Sequence, residues 1–276
     1  MTNLKTTAVE DLKANFRGEV LLPGDEGYEA SRKIWNGMFD RRPAIITRCV
    51  GTRDVINAVN FARNNNLVVA VKGGGHNSAG NAVCDDCIMI DLSLMRRVTV
   101  DSKNKTARVD GGALLGDVDY ETQLHGLAVS AGIVSHTGVG GLTLGGGFGW
   151  ISRKHGLTID NLISANVVTA DGKLVTASKT ENPDLFWGIR GGGGNFGVVT
   201  SFEFNLAEIG TEVYSGLIVK HFENAKEYIQ FHREYVRNLP DEMTVWMVIR
   251  HAPPLPFLDE SVHGKMVVVN KYWNDR

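Results

Sequence analysis

The sequence contains few cysteines, only Cys49, Cys84 and Cys87 in 276 residues. An odd and small number in a chain of this length argues against the disulfide framework of a small secreted domain. The acidic residues between Cys84 and Cys87 favour protonated thiols, and too few cysteines remain for a four-ligand zinc site. We therefore predict a structural loop around these two cysteines, a reducing compartment and a cytoplasmic location.

Long apolar runs and long basic runs are also absent. The first 20 residues have no apolar core of a signal peptide, and no stretch reaches the roughly 18 apolar residues of a membrane span. The formal net charge is −2, so we expect neither nucleic acid nor a membrane as a partner. No histidine spacing such as HExxH indicates a metal site, so we expect no metal.

Glycine, in contrast, is abundant, and many of the 32 glycines fall in three clusters within residues 73–77, 138–149 and 191–197. Consecutive glycines leave backbone N–H groups free to face a pyrophosphate, so three clusters favour a large phosphate-bearing cofactor over simple turns. The third cluster fits GxGxxG, but it follows a helical pattern and precedes a strand pattern. This context argues against a nicotinamide Rossmann site, and no P-loop motif is present.

The pattern of elements predicts a mixed α+β protein. A strand–helix–strand unit precedes the first glycine cluster, and hairpins are predicted around residues 103–105 and 171–172. Beyond about residue 206 the sequence consists of strand-like segments with one helix among them. This change in texture indicates a second, mainly antiparallel part of the chain.

Three long segments then indicate a family. Residues 69–80 (VAVKGGGHNSAG), 137–162 and 182–204 resemble, in this order, the FAD-linked oxidases of the berberine-bridge-enzyme-like group. That group belongs to the vanillyl-alcohol-oxidase-type flavoproteins, which share a PCMH-type FAD-binding domain. The resemblance implies two subdomains that clasp an extended FAD, followed by an antiparallel-sheet substrate domain.

The resemblance also implies domain boundaries. Residues 1–40 would be the N-terminal segment of the FAD domain, residues 41–206 the FAD-binding domain itself, and residues 207–276 a partial substrate domain. Members of the group extend well beyond this length, so we expect a truncated chain. An open strand edge would then lead either to a homo-oligomer or to local disorder after about residue 206.

The activity implied is that of an FAD-dependent oxidoreductase, most simply an oxidase. It would take a hydride from an alcohol, amine or phenol-type small molecule onto the flavin, which oxygen or another electron acceptor would reoxidise. Two alternatives stay open at this point. The chain is then either a truncated, non-catalytic FAD-binding protein or a dehydrogenase that uses a different electron acceptor.

By the same resemblance, His76 bonds covalently to the 8α-carbon of FAD, a role suited to a neutral imidazole. The alternative is that His76 is a polar loop residue packed near the flavin. Relatives with a second linkage carry a cysteine where this chain has Val134, so we predict a single histidyl linkage. Thr137 would face the reactive flavin edge, where a small side chain leaves room for oxygen.

The candidate site residues follow from these motifs. The catalytic base is unknown, and the titratable groups nearest the motifs are His136 and Asp160. The predicted FAD-binding residues are His76, Lys72, Gly73, Gly74, Gly75, Asn77, Val134, Thr137, Gly138, Gly140, Gly141, Thr143, Gly145, Gly147 and Val199.

Overall fold

The computed structural model describes residues 4–274, and its first sheet has the strand order β1-β2-β4-β3. Strands β2 and β3 both pair in parallel with β4, and β1 adds an antiparallel edge. The predicted strand–helix–strand unit is present, because α3 connects β2 to β3. The elements of this part are α1 (Thr6–Ala14), β1 (Glu19–Leu21), α2 (Tyr28–Ser31), β2 (Ile45–Arg48), α3 (Thr52–Asn64), β3 (Val69–Lys72) and β4 (Ile88–Asp91).

The second sheet is antiparallel and has the strand order β5-β6-β10-β8-β9. Both predicted hairpins are confirmed, since β5 pairs with β6 and β8 with β9. A short pair, β7 with β11, lies beside it. The elements are β5 (Val98–Asp101), β6 (Thr106–Asp110), α4 (Leu115–Gln123), β7 (Leu127–Ala128), α5 (Val139–Leu144), α6 (Ser152–His155), β8 (Leu162–Val168), β9 (Leu174–Ser178), α7 (Pro183–Ile189), β10 (Val198–Asn205) and β11 (Ala207–Glu208).

Helix α3 joins the two sheets. It packs against β4 of the first sheet and against β8 and β10 of the second. Its apolar face, which includes Val55 and Phe61, shares a buried cluster with Val168 and Val198 of the second sheet. Burial of this face removes apolar surface from water and holds the first and second sheets, with the glycine loops that follow them, in one unit.

The remaining strands form a third, antiparallel sheet with the order β12-β14-β13. It comprises β12 (Tyr214–His221), α8 (Ala225–Tyr235), β13 (Met243–His251) and β14 (Met266–Asn274). The predicted antiparallel character after residue 206 is therefore confirmed, and the chain as a whole is α+β. Within residues 4–274, no helix combines the length and the apolar character needed to cross a bilayer.

The cysteines correct one expectation. Cys84 and Cys87 form a disulfide, although the sequence was interpreted as having none. The turn between them, in which Asp86 has a positive φ of 53°, brings the two Cα atoms to 5.8 Å, within disulfide range. Cys49 remains a buried thiol whose pKa is raised by burial. The cysteine content therefore no longer supports a reducing compartment.

Asp54 connects the N-terminal segment to the first sheet. Its buried carboxylate accepts hydrogen bonds from the backbone N–H groups of Arg17, Gly18 and Val50 at 3.0 to 3.1 Å. We expect Asp54→Ala to lower the free energy of unfolding by about 3 kcal/mol, because it leaves backbone donors without a partner. Urea denaturation measures this. Asp11→Ala, on the exposed side of α1, should change it by no more than about 0.5 kcal/mol. Equal effects of the two substitutions would contradict the stabilising role of the Asp54 carboxylate.

Candidate functional site

The first glycine loop begins where β3 ends. Gly75 has a φ of 71°, which favours glycine, and its carbonyl accepts a hydrogen bond from the backbone N–H of Trp35 at 3.0 Å. This turn places the imidazole of His76 at the rim of the loop, where it is half-buried. The side chain singled out by the sequence motif is therefore accessible to a bound group.

Two neighbours of His76 are engaged within the protein. The ammonium of Lys72 donates to the carbonyl oxygen of Ser31 at 2.7 Å and lies 3.6 Å from the buried carboxylate of Asp91. The side chain of Asn77 accepts a hydrogen bond from the backbone N–H of Asn81 at 3.1 Å. These contacts support the loop from the protein side.

The first and second glycine loops touch backbone to backbone. A Cβ atom added to Gly74 would lie 2.3 Å from the backbone nitrogen of Gly138, and one added to Gly138 would lie 2.2 Å from that of Gly74. Real Cβ atoms do not approach backbone so closely. The motif glycines at these two positions are therefore required for packing, and the contact unites the two loops into one surface.

The other motif glycines divide into packed and open positions. Gly140 and Gly147 face protein atoms, with added Cβ atoms 2.9 Å from the Gly111 carbonyl oxygen and 2.2 Å from the Thr158 hydroxyl. Gly141 and Gly146 have no atom within 4 Å of an added Cβ. Gly73 and Gly145 also have room, with nearest contacts of 3.4 Å. Gly141 and Gly145 are exposed, whereas Gly146 is buried, so a flat or extended ligand can approach the backbone closely at Gly141 and Gly145.

Two buried hydroxyl groups lie in the same region. Thr143 Oγ1 and Thr158 Oγ1 are buried and have no hydrogen-bond partner among the described residues. A buried polar atom without a partner costs about 1 to 3 kcal/mol. Because Thr143 lies in α5 two residues after the exposed Gly141, its hydroxyl and the open backbone fit a ligand rich in hydrogen-bonding groups.

His76 is paired with His136, although 60 positions separate them in the chain. The distance from His76 Nε2 to His136 Nδ1 is 2.7 Å. Trp35 packs against both rings, with centroids 5.0 Å from His76 and 4.8 Å from His136, and it is nearly parallel to the His76 imidazole. Neither Trp35 nor this pairing was predicted, because no motif includes residue 35.

Burial lowers the pKa of His76, and the neighbouring His136 lowers it further. Both causes disfavour the imidazolium form. The unprotonated ring, which carries the nucleophilic lone pair, therefore persists to lower pH than in a free histidine. In the part of the chain that the structure describes, the His76 ring makes no hydrogen bond other than the one at Nε2, so Nδ1 is left for another group.

Asp160, the second candidate base, is held in structural contacts. Its carboxylate accepts a hydrogen bond from the backbone N–H of Leu157 at 2.9 Å, and Arg190 lies 3.4 Å away.

The backbone of Thr137 pairs with Val134 and Leu115 at 2.9 Å. Val134 is half-exposed near the loop tip, whereas Val199 is buried. The structure thus brings His136, but not Asp160, into contact with His76.

The third sheet meets the end of the second glycine region. The hydroxyl of Thr244 in β13 donates to the carbonyl oxygen of Trp150 at 2.7 Å. The indoles of Trp150 and Trp246 lie 4.6 Å apart, and the Lys271 ammonium lies 4.6 Å above the Trp150 ring. Phe148, largely exposed, is 6.1 Å from Trp246. This aromatic junction, defined as Phe148, Trp150, Trp246 and the Lys271 ammonium above Trp150, was not anticipated from the sequence.

Comparison with protein families identifies the glycine-rich part. A family model described as an FAD binding domain matches residues 43–178. (R)-6-hydroxynicotine oxidase from Paenarthrobacter nicotinovorans is 41% identical over 204 residues, which are 74% of this chain and 44% of the relative. Glucooligosaccharide oxidase from Sarocladium strictum is 43% identical over 186 residues, which are 66% of this chain and 37% of the relative.

The fold has a solved counterpart. The crystal structure of 6-hydroxy-D-nicotine oxidase from Arthrobacter nicotinovorans matches with a TM-score of 0.88 at 33% identity and covers 99% of this chain and 58% of that chain. The match includes the third sheet as well as the two glycine-bearing layers. The chain spans about half the length of these relatives.

Proposed function

The chain belongs to the berberine-bridge-enzyme-like family of FAD-linked oxidoreductases. We propose that it is the FAD-binding part of an oxidase. The substrate class is a small molecule with an oxidisable C–H beside an amine nitrogen or a hydroxyl oxygen, as the names of the relatives suggest. The observation that carries the proposal is the contact of two glycine loops that presents His76 beside an open backbone surface.

The described residues fit FAD. The exposed backbone at Gly141 and Gly145 would hold it, and the unpartnered Thr143 hydroxyl would hydrogen-bond to it. When bound, FAD supplies the hydride acceptor of the reaction. The glycines keep side chains away from this surface, and the contact between Gly74 and Gly138 fixes the two loops against each other. Together they would orient FAD for reaction.

We propose further that His76 forms the single covalent linkage. The support is the half-buried His76 ring, whose Nδ1 makes no hydrogen bond to the described residues, and its lowered pKa, which keeps the ring in the nucleophilic form. Val134 has no nucleophilic side-chain group that could form a bond to the flavin, so no second linkage is expected from that position. The small side chain of Thr137 favours oxygen as the acceptor.

For the domain organisation, we propose an FAD-binding domain over residues 41–206 and a substrate-facing part over residues 207–276. The support is the separate third sheet and its aromatic junction with Trp150. Aromatic faces suit the stacking of a flat or ring-shaped substrate. Because this junction adjoins the end of the second glycine region, it is the candidate wall of the substrate site.

A substitution at the open glycine surface tests FAD binding directly. Gly141→Ala in helix α5 should raise the stability of the apoprotein by about 1 kcal/mol, because alanine is the better helix former. The same methyl group would enter the space assigned to FAD and weaken binding by about tenfold or more. Thermal unfolding of the apoprotein and fluorescence titration with FAD measure the two effects.

Gly51→Ala, where an added Cβ also meets no atom within 4 Å, is the matched control and should leave FAD affinity unchanged. If Gly141→Ala bound FAD as tightly as the unaltered chain, the cofactor would not lie on this surface.

Activity is tested by anaerobic mixing of the FAD-loaded chain with an amine such as 6-hydroxynicotine and, separately, with a glucooligosaccharide. Bleaching of the flavin by either one supports the oxidoreductase proposal, and rapid recovery on adding oxygen identifies an oxidase. Recovery only with another acceptor indicates a dehydrogenase. A loaded flavin that neither compound reduces would favour the non-catalytic alternative.

A further inference from the structure

The pairing of His76 with His136 has a consequence beyond the linkage itself. We propose that His136 is a positioning residue for flavin attachment. It holds the proton of His76 on Nε2, directs Nδ1 to the 8α-carbon, and takes the Nε2 proton as that bond forms. This inference rests on the proposed covalent attachment at His76.

The geometry leaves two proton arrangements for the pair, and one of them frees Nδ1 of His76 to act as the nucleophile. A distance of 2.7 Å between two imidazole nitrogens requires a proton between them, so one ring donates and the other accepts. If Nε2 of His76 is the donor, its Nδ1 carries the lone pair. Trp35 stacks on the His76 ring and packs at a tilt against His136, and its backbone N–H is hydrogen-bonded to Gly75, so the pair is held together from one side.

The pairing also joins the two loops that form the glycine surface. His76 follows the first glycine cluster, and His136 lies two residues before Gly138, which contacts Gly74. The nucleophile and its hydrogen-bond partner are therefore fixed by the same backbone contact. Because Nε2 of His76 is engaged with His136, Nδ1 is the ring nitrogen left to react with a ligand edge that reaches this surface.

The attachment step balances in atoms and electrons. Nδ1 of His76 forms a bond to the 8α-carbon, and one C–H bond of that methyl group is broken. The carbon's proton and the Nε2 proton are released, the latter to His136, while two electrons pass to the isoalloxazine ring. Dioxygen then takes up these two electrons with two protons to give hydrogen peroxide, and the flavin returns to its oxidised form.

A proton acceptor matters because attack by Nδ1 would otherwise leave a positive charge on the His76 ring. Such a charge is disfavoured at this position, since burial already penalises the imidazolium. Transfer of the Nε2 proton along an existing hydrogen bond removes the charge as it forms. General-base assistance of this kind contributes about 100- to 10,000-fold to a rate.

The test follows the covalent incorporation of FAD into the apo-chain with time in air, measured as flavin retained by acid-precipitated protein. Non-covalent binding is measured separately by fluorescence quenching. We expect His136→Ala to bind FAD but to incorporate it about 100-fold more slowly or worse. His136→Gln can accept the hydrogen bond but not the proton, so it should remain slow. Added imidazole should partly restore the rate of His136→Ala.

His125→Ala removes an exposed histidine outside the glycine loops and should incorporate FAD at the unaltered rate. Normal incorporation by His136→Ala would overturn the inference, and so would loss of all FAD binding, which would make His136 a purely structural residue. If the unaltered chain binds FAD but never retains it in acid, the proposed linkage itself is wrong. If His136 acted instead as a base in substrate oxidation, the His136→Ala variant would attach FAD normally but its flavin would be reduced slowly.

Discussion

The His76→Ala variant is expected to lose all acid-stable flavin. Its acid-precipitated protein should be colourless, with the flavin in the supernatant, whereas the unaltered chain should retain flavin in the pellet. The reason is that His76, with an unbonded Nδ1, is the nucleophile at the joined glycine loops, and the apolar side chain of Val134 offers no substitute. Visible absorbance of pellet and supernatant measures the distribution.

His76→Ala should still bind FAD reversibly, because the open backbone and the Thr143 hydroxyl are unchanged. This outcome would distinguish loss of the covalent bond from loss of FAD binding. The exposed His125→Ala variant should keep its flavin in the pellet. Retention of acid-stable flavin by His76→Ala would place the covalent bond on another residue.

A second large effect is expected from Gly138→Ala. The added methyl group would lie 2.2 Å from the backbone nitrogen of Gly74, so one of the two loops must move. Overpacking against backbone should lower the free energy of unfolding by about 3 kcal/mol. Because the same contact joins the loops that form the glycine surface, FAD binding should be lost as well. Urea denaturation and FAD titration measure the two effects.

Gly37→Ala is the matched control, since an added Cβ there meets no atom within 4 Å and the residue is exposed. It should leave both stability and FAD affinity nearly unchanged. A Gly138→Ala protein as stable as this control would show that the contact between the two loops is not maintained in solution.

Local signals in the sequence were sufficient for much of the fold. The hairpins were predicted because Asp171-Gly172 and the lysine-bearing turn at residues 103–105 interrupt alternating strands. Pro183, at the first position of helix α7, is a local signal of the same kind, because proline is favoured at the start of a helix. Sheet order was not predictable in this way, because it depends on contacts between strands that are far apart in the chain.

The site was predictable in part. The loop motif indicated His76, but its pairing with His136 joins residues 60 positions apart, and no periodicity reports such a contact. The motif also could not separate glycines that face protein, such as Gly138, from those that face open space, such as Gly141. The Cys84–Cys87 disulfide was missed because spacing and charge do not specify the turn conformation.

The most direct test of the account is peptide mapping by mass spectrometry of the chain purified with its flavin. Trypsin would release residues 73–96, which contain His76, and residues 109–153, which contain Val134 and His136. We predict one FAD on the first peptide and none on the second. Flavin absent from the first peptide, or attached to the second, would contradict the assignment of His76 as the single point of attachment.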